Sequence, residues 1–310
     1  MMSEFEYKDY WFNYVLDEDP QQIKNLIREE YITSQGIKIH LDIYDDESKN
    51  LEKTVIFSHG TSVYSRFYAE WLYNLHKKGF RIVAPDLPGH GLSGGTRGHF
   101  TMEMFTKTIY DVNSWVIDNF GERNAVMGSS LGGINALYSA AYDDERLKGA
   151  VCHNAAIFNE KAYKKIINMT FLLRIILPLV PIAAKIAPKL HFSVFLYLDF
   201  YRLCKNERFS ERIPLLLEDE ILADKYTATG LRTQLRAPLA KPIEKIETPI
   251  MIINGDEDVL FSEDYMREIY DRLTCSNKEL QIIENASHLI FQEKIPTALE
   301  RIVPWLNKVL

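Results

Sequence analysis

The chain has 310 residues, 46% of them hydrophobic and 25% charged, with a formal net charge of -7 and an isoelectric point near 5.7. That length and composition suit one large α/β domain, alone or with an insertion, and the acidic balance excludes a nucleic-acid binder, since no domain-wide excess of Lys and Arg can neutralise phosphates. Cys152, Cys204 and Cys275 stand too far apart for a C-x-x-C site, and Met1 to Asp19 lacks the basic patch and apolar core of a signal peptide, so a cytoplasmic protein with buried thiols is expected.

Tyr31-Ile32-Thr33 and Lys38 to Ile43, parted by Gln35-Gly36, alternate as an antiparallel hairpin expected at the edge of a sheet. Thr54 to Phe57 is a short apolar run without alternation, which fits a strand covered on both faces, and it ends in Ser58-His59-Gly60-Thr61. A helix is expected over Phe67 to Lys78, stopped by Gly79, then a strand over Arg81 to Ala84 and a long helix over Thr101 to Asn119. Between these lies Gly89-His90-Gly91-Leu92-Ser93-Gly94, a formal match to the G-x-G-x-x-G dinucleotide turn. It leads into more loop, Gly95 to His99, instead of opening a helix, so no nucleotide is expected there.

Ala125 to Met127 reads as the next strand, and the segment from Ile134 to Tyr142 as a helix. Between them Gly128-Ser129-Ser130-Leu131-Gly132 matches G-x-S-x-G, the strand–turn–helix signature of an exposed nucleophile. Such a turn strains its central residue, and glycines two places to either side remove the bulk that would forbid it. A further strand is expected over Leu147 to Cys152. Strands alternating with helices imply a mostly parallel sheet with helices on both faces.

After Asn154 this rhythm breaks for about 85 residues rich in aromatics, leucine, isoleucine and proline, and it resumes at the buried strand Pro249 to Asn254. The expected organisation is therefore a core over 1–154, a helical cap or lid over 155–240 and the rest of the core over 241–310. A helix over Ser262 to Leu273, a strand over Glu279 to Ile283, a loop carrying His288 and a closing helix from Pro296 complete the chain.

A serine hydroxyl becomes a useful nucleophile only when a base takes its proton and a third group orients that base. The order Ser, acid, His follows Ser130 with the loop Asn254-Gly255-Asp256-Glu257-Asp258 and then with His288. Asp258 is the expected acid, with Asp256 as its competitor, and His288 the general base. The backbone N–H groups of Leu131 and Thr61 are the expected oxyanion donors. His40, His76, His153 and His191 read as structural residues without partners at useful spacing. No H-E-x-x-H or G-K-[ST] motif occurs, so neither metal nor cofactor is expected.

Together His59-Gly60-Thr61, Asp86 to Ser93 with Gly95 and Arg97-Gly98, Gly128 to Gly133, Gly255 to Asp258 and His288 make the chain, from about Ile37 onward, resemble the α/β-hydrolase fold superfamily. The closer likeness is to its monoacylglycerol lipase and lysophospholipase-like branch, also grouped with serine aminopeptidases. The resemblance implies a triad of Ser130, Asp258 and His288, an oxyanion hole at Thr61 and Leu131, and a structural role for Asp86 to Ser93. Two positions depart from the branch, which commonly carries glutamate where this chain has Val63 and histidine where it has Ser129.

The implied activity is a serine hydrolase acting on carboxylic esters, of lipids such as monoacylglycerol or lysophospholipid. An aminopeptidase or amidase is the alternative, with Glu218, Asp219 or Glu220 to hold a substrate ammonium, and a non-catalytic ligand binder on the same fold is a third reading. Between Lys161 and Leu198 stand six basic residues, Lys161, Lys164, Lys165, Arg174, Lys185 and Lys189, and no acidic one. A cap of short apolar helices with a basic rim is accordingly expected to rest on an anionic membrane surface.

Overall fold

Parallel neighbours in a sheet must be joined by crossovers, and the alternation of short apolar runs with amphipathic stretches supplies them. The computed structural model describes residues 9–46, 48–143, 145–160 and 177–310. The strands are β1 (Ile27–Ser34), β2 (Ile37–Tyr44), β3 (Thr54–Ser58), β4 (Arg81–Pro85), β5 (Asn124–Ser129), β6 (Ala150–His153), β7 (His191–Ser193), β8 (Lys225–Thr227), β9 (Ile250–Gly255) and β10 (Lys278–Ile283). Eight of them form one sheet in the order β1-β2-β4-β3-β5-β6-β9-β10. Only β2 runs against its neighbours; from β4 to β10 every pairing is parallel. Strands β3, β4, β5, β6 and β9 are buried along their whole length, which is why their sequences do not alternate.

Helices Ala69–His76, Met102–Phe120, Leu131–Tyr142 and Glu263–Arg272 make crossovers of the core, and Ile295–Val309 closes the chain. The chain leaves β3 for β4 on one side and returns to β5 on the other, so the winding of the sheet reverses at β3 and opens a crevice at the carboxyl ends of β3 and β5. His59-Gly60-Thr61 leaves one of these ends and Ser130 leaves the other. Two expected boundaries shift. The helix expected from Phe67 begins as the 3-10 turn Ser65–Tyr68, and the strand expected from Leu147 begins at Ala150. Leu147 is buried, but it sits in a turn whose N–H bonds back to Asp143; its burial mimics a strand residue.

Asp86, at the end of β4, accepts from the backbone N–H groups of Ser65 and Leu92 at 2.8 Å each and holds His40 Nδ1 at 3.0 Å. The other ring nitrogen of His40 lies 3.4 Å from Asp42, whose carboxylate Arg66 grips at 2.7 Å while also reaching Glu29 at 2.6 Å. His40 is therefore flanked by carboxylates on both ring nitrogens, because pairing of β1 with β2 and of β2 with β4 brings distant carboxylates together. Burial disfavours its charged form, but Asp42, Asp86 and Glu29 overcome that penalty and raise its pKa to about 10.

Between β6 and β9 the described residues fold into short helices, Val180–Ile186, Phe200–Leu203, Glu207–Ser210, Ile213–Leu217 and the longer Ala228–Arg236. Strands β7 and β8 pair as a separate antiparallel ribbon that the sequence analysis did not anticipate; runs of three residues carry no readable period. Lys161, Lys164, Lys165 and Arg174 lie outside the described residues. No described helix is long and apolar enough to cross a membrane. Strand β8 is laid directly on the core: Thr227 N–H donates to Gly98 O at 3.0 Å, and a Cβ on Gly98 would stand 1.8 Å from Lys225 O. Gly98 also has φ +68°, so glycine is required there twice over.

Candidate active site

Strand β5 delivers Ser130 into a sharp turn with φ 56° and ψ -119°, a conformation that costs a non-glycine residue roughly 1–3 kcal/mol. The surroundings enforce it. Ser130 N–H donates to His153 O at 2.9 Å, and Ser130 O accepts from Ile134 N–H at 3.0 Å, which starts the helix Leu131–Tyr142. A Cβ on Gly128 would lie 2.1 Å from Gly132 O, and one on Gly132 would lie 2.0 Å from Ser58 O. The flanking glycines of the motif are thus explained by close backbone approach.

His288 enters from the loop after β10. Its Nδ1 lies 2.8 Å from Asp258 Oδ2, and because an ionised carboxylate only accepts, Nδ1 carries the proton and Nε2 keeps a lone pair for base chemistry. Asp258 also accepts from the backbone N–H groups of Leu260 at 2.8 Å and Phe261 at 3.0 Å, and from Asn154 Nδ2 at 3.0 Å. Burial alone would raise its pKa; the charge and hydrogen bond of His288, with the Leu260 N–H, hold it below the usual carboxylate range. Asp256 is exposed and accepts from Ala286 N–H at 3.2 Å, so it braces the loop before His288 and does not touch the imidazole. The Phe261 ring stacks on that imidazole at 5.9 Å.

Ser130 and His288 line one cavity, together with Thr61, Leu198, Phe200 and Leu289. A second cavity begins at Ser130 and runs between Leu131, Ile134, Phe158, Gln234 and Phe261. Among the described residues that line them there is no carboxylate. Asp219 is instead buried elsewhere, accepting the hydroxyls of Tyr14 at 2.8 Å and Tyr64 at 2.7 Å, while Glu218 and Glu220 are exposed. None of these three acids lines either cavity beside Ser130.

The two expected oxyanion donors border the same space. Leu131 occupies the first position of its helix, where an N–H has no intrahelical acceptor. The Gly60–Thr61 peptide is oriented by His59: Leu87 N–H donates to His59 Nε2 at 3.0 Å, so the proton sits on Nδ1, which donates to Gly60 O at 3.0 Å. In a trans peptide the N–H points opposite to the C=O, so with Gly60 O turned to His59 the Thr61 N–H faces the other way.

Two further residues flank the His288–Asp258 pair. Asn154, with φ 67°, shares Asp258 with His288 and donates also to Asn254 Oδ1; only its tolerance of a left-handed backbone hints at the role. His153 bonds Ser129 Oγ through Nδ1 at 2.8 Å and packs 5.5 Å from the His288 ring. Burial, and then the charge of His288, push its pKa down to about 3, so it is neutral. His76 is structural, bonded to Phe80 O at 3.0 Å, and the Gly89 to Gly94 turn opens no helix, the next one starting at Met102.

A family model described as "Serine aminopeptidase, S33" matches residues 49–295. The chain is 23% identical over 250 residues to the phospholipase YtpA of Bacillus subtilis, covering 77% of this chain and 88% of the relative. A 107-residue stretch is 34% identical to a Mycobacterium phage D29 protein, over 37% of that protein's length. Among solved structures, the monoacylglycerol lipase of Paleococcus ferrophilus superposes with a TM-score of 0.70 at 23% identity, over 92% of this chain and 99% of that one. A soluble variant of the monoglyceride lipase of Saccharomyces cerevisiae, in complex with a substrate analogue, gives 0.74 at 17% identity, over 91% and 95%.

Proposed function

From the premise that this chain belongs to the serine aminopeptidase S33 family of α/β-hydrolases, we propose that it hydrolyses carboxylic esters of lipids, such as monoacylglycerols or lysophospholipids, through an acyl-enzyme on Ser130. The observation that carries this reading is the 2.8 Å bond from His288 to Asp258 at the cavity that Ser130 also lines. His288 Nε2 takes the proton as Ser130 Oγ attacks the ester carbonyl, and Asp258 holds the imidazole in the required tautomer. The N–H groups of Thr61 and Leu131 receive the developing oxyanion. His288 then protonates the departing alcohol, and a water molecule, deprotonated by the same nitrogen, releases the acid.

Apolar lining in both cavities favours an acyl chain, and the absence of a carboxylate among their described residues speaks for an ester over an N-terminal amine. Membrane contact is part of the proposal: Leu179, Ile182, Ile186 and Leu190 are all more than half exposed in the cap, next to Lys185 and Lys189. Three buried cysteines outside any disulfide accord with a cytoplasmic location. The test is labelling with a fluorophosphonate together with turnover of p-nitrophenyl esters, monoglycerides, lysolipids and aminoacyl amides. Ser130→Ala is expected to abolish labelling and ester turnover while the protein stays folded. A chain that never labels is a ligand binder, and a preference for the amides supports an aminopeptidase. Co-sedimentation with vesicles tests the membrane part: binding that ignores anionic lipid and salt removes it.

A further inference from the structure

Ser62 follows the expected oxyanion donor Thr61 and is fully buried with φ 70°, a backbone conformation that a non-glycine residue keeps only when its surroundings impose it. Both of its backbone groups are held from the insertion: its N–H donates to the Tyr226 hydroxyl at 2.7 Å, and its C=O accepts from Ala223 N–H at 2.8 Å. The Tyr226 hydroxyl lies 2.9 Å from His90 Nε2, while His90 Nδ1 lies 3.1 Å from Pro88 O. A carbonyl only accepts, so Nδ1 carries the proton of a neutral His90 and Nε2 accepts from Tyr226. The phenol therefore donates to His90 and turns its oxygen lone pairs toward Ser62 N–H. Burial keeps His90 neutral by holding its pKa well below the ordinary value.

We infer that Tyr226 is a positioning residue for the oxyanion loop, fixing the Thr61–Ser62 backbone from the cap with His90 as its proton acceptor. The inference rests on the reading of Thr61 N–H as an oxyanion donor. It also accounts for His90, which the glycine-rich turn carries without any nucleotide to bind. Tyr226 is itself immobilised: its ring meets Phe100 edge-on at 4.8 Å, and its neighbour Thr227 bonds Gly98 O at 3.0 Å.

The experiment uses the full chain and p-nitrophenyl butyrate. Tyr226→Phe keeps the ring and removes only the hydroxyl. Loss of one oxyanion donor typically lowers kcat by about 100- to 1000-fold, so a donor displaced but present predicts roughly a 10- to 100-fold fall in kcat with KM within about twofold. Inactivation by a fluorophosphonate should slow in parallel, since phosphorylation of Ser130 also builds charge on an oxygen in the hole. His90→Leu, which frees the phenol to rotate, should fall between Tyr226→Phe and the parent. A Tyr226→Phe protein whose kcat stays within twofold of the parent overturns the inference, as does a fall in kcat without slower inactivation; if that variant does not fold, an unchanged kcat in His90→Leu overturns it. Ser130→Ala distinguishes the levels: if it still turns over ester the nucleophile reading fails, whereas a dead Ser130→Ala beside a fully active Tyr226→Phe removes the positioning role alone.

Discussion

Asn154 and His288 donate to the same oxygen, Asp258 Oδ2, from 3.0 and 2.8 Å. The carboxylate is thereby locked in rotation and its charge is stabilised from two sides, with Leu260 and Phe261 N–H on the other oxygen. A hydrogen bond to a charged group contributes about 1.5–3 kcal/mol. Only part of that energy is specific to the transition state, so Asn154→Ala is expected to lower kcat about 3- to 10-fold, roughly 0.7–1.4 kcal/mol, leaving Ser130 and the oxyanion donors in place. The Asp258 pKa lies below the usual range, so the ion pair holds above that range and is lost as pH falls through the depressed value. Without Asn154 that loss moves to higher pH, which urea titrations of parent and variant between about pH 2 and 5 will register.

Two carboxylates two residues apart should separate cleanly by substitution. Asp258→Asn presents an amide to His288 Nδ1 and favours the wrong tautomer; in a comparable triad this lowers kcat about 10,000-fold. Asp256→Asn retains an oxygen that can accept from Ala286 N–H, so activity within about twofold of the parent is expected, at a thermal cost below roughly 1 kcal/mol. Kinetics and thermal unfolding of the two variants side by side decide the assignment; the opposite ranking would transfer the role to Asp256.

The His40 network makes stability depend on pH in a stated direction. Its folded pKa of about 10 lies above the ordinary histidine value, so its contribution is complete below pH 6.5 and disappears as pH rises through about 10. Urea titrations between pH 6 and 10.5 should show stability falling over that window, and His40→Leu should flatten the slope. That variant also leaves Asp42 and Asp86 without their central partner, for which a loss of about 3–5 kcal/mol is expected.

Gly98→Ala should unseat β8 from the core, since its methyl group would meet Lys225 O at 1.8 Å and its φ of +68° disfavours alanine. Limited proteolysis should cut the region from 177 to 246 faster in the variant than in the parent. Turnover of long-chain esters should suffer more than that of acetyl esters, because Leu198, Phe200 and Leu203 line the cavity at Ser130.

The parallel core was legible because buried strands such as Ile250–Gly255 are unbroken apolar runs and because Gly128 to Gly132 joins one of them to a helix. Ser130 lies at the end of such a run and His288 in the loop after the last strand, where a sequence pattern can find them. Asn154, Tyr226 and His90 act through partners 104 and 136 positions away, and no local spacing encodes contacts of that kind. The carboxylates around His40 are hidden in the same way: Asp86 and Glu29 meet it only through strand pairing. The β7–β8 ribbon is held by the core surface beneath it, so its three-residue strands leave little trace in composition.

Carbonyl oxygens of Gly132, Ser58 and His153 occupy the places where methyl groups would sit on Gly128, Gly132 and Gly133. Anyone diversifying this protein in a library should therefore leave the elbow untouched, because even alanine collides there with backbone that has nowhere to go. Variation in substrate choice has to be sought in the walls above it, at positions such as Leu198, Phe200 and Gln234, which touch the cavities without supporting the turn.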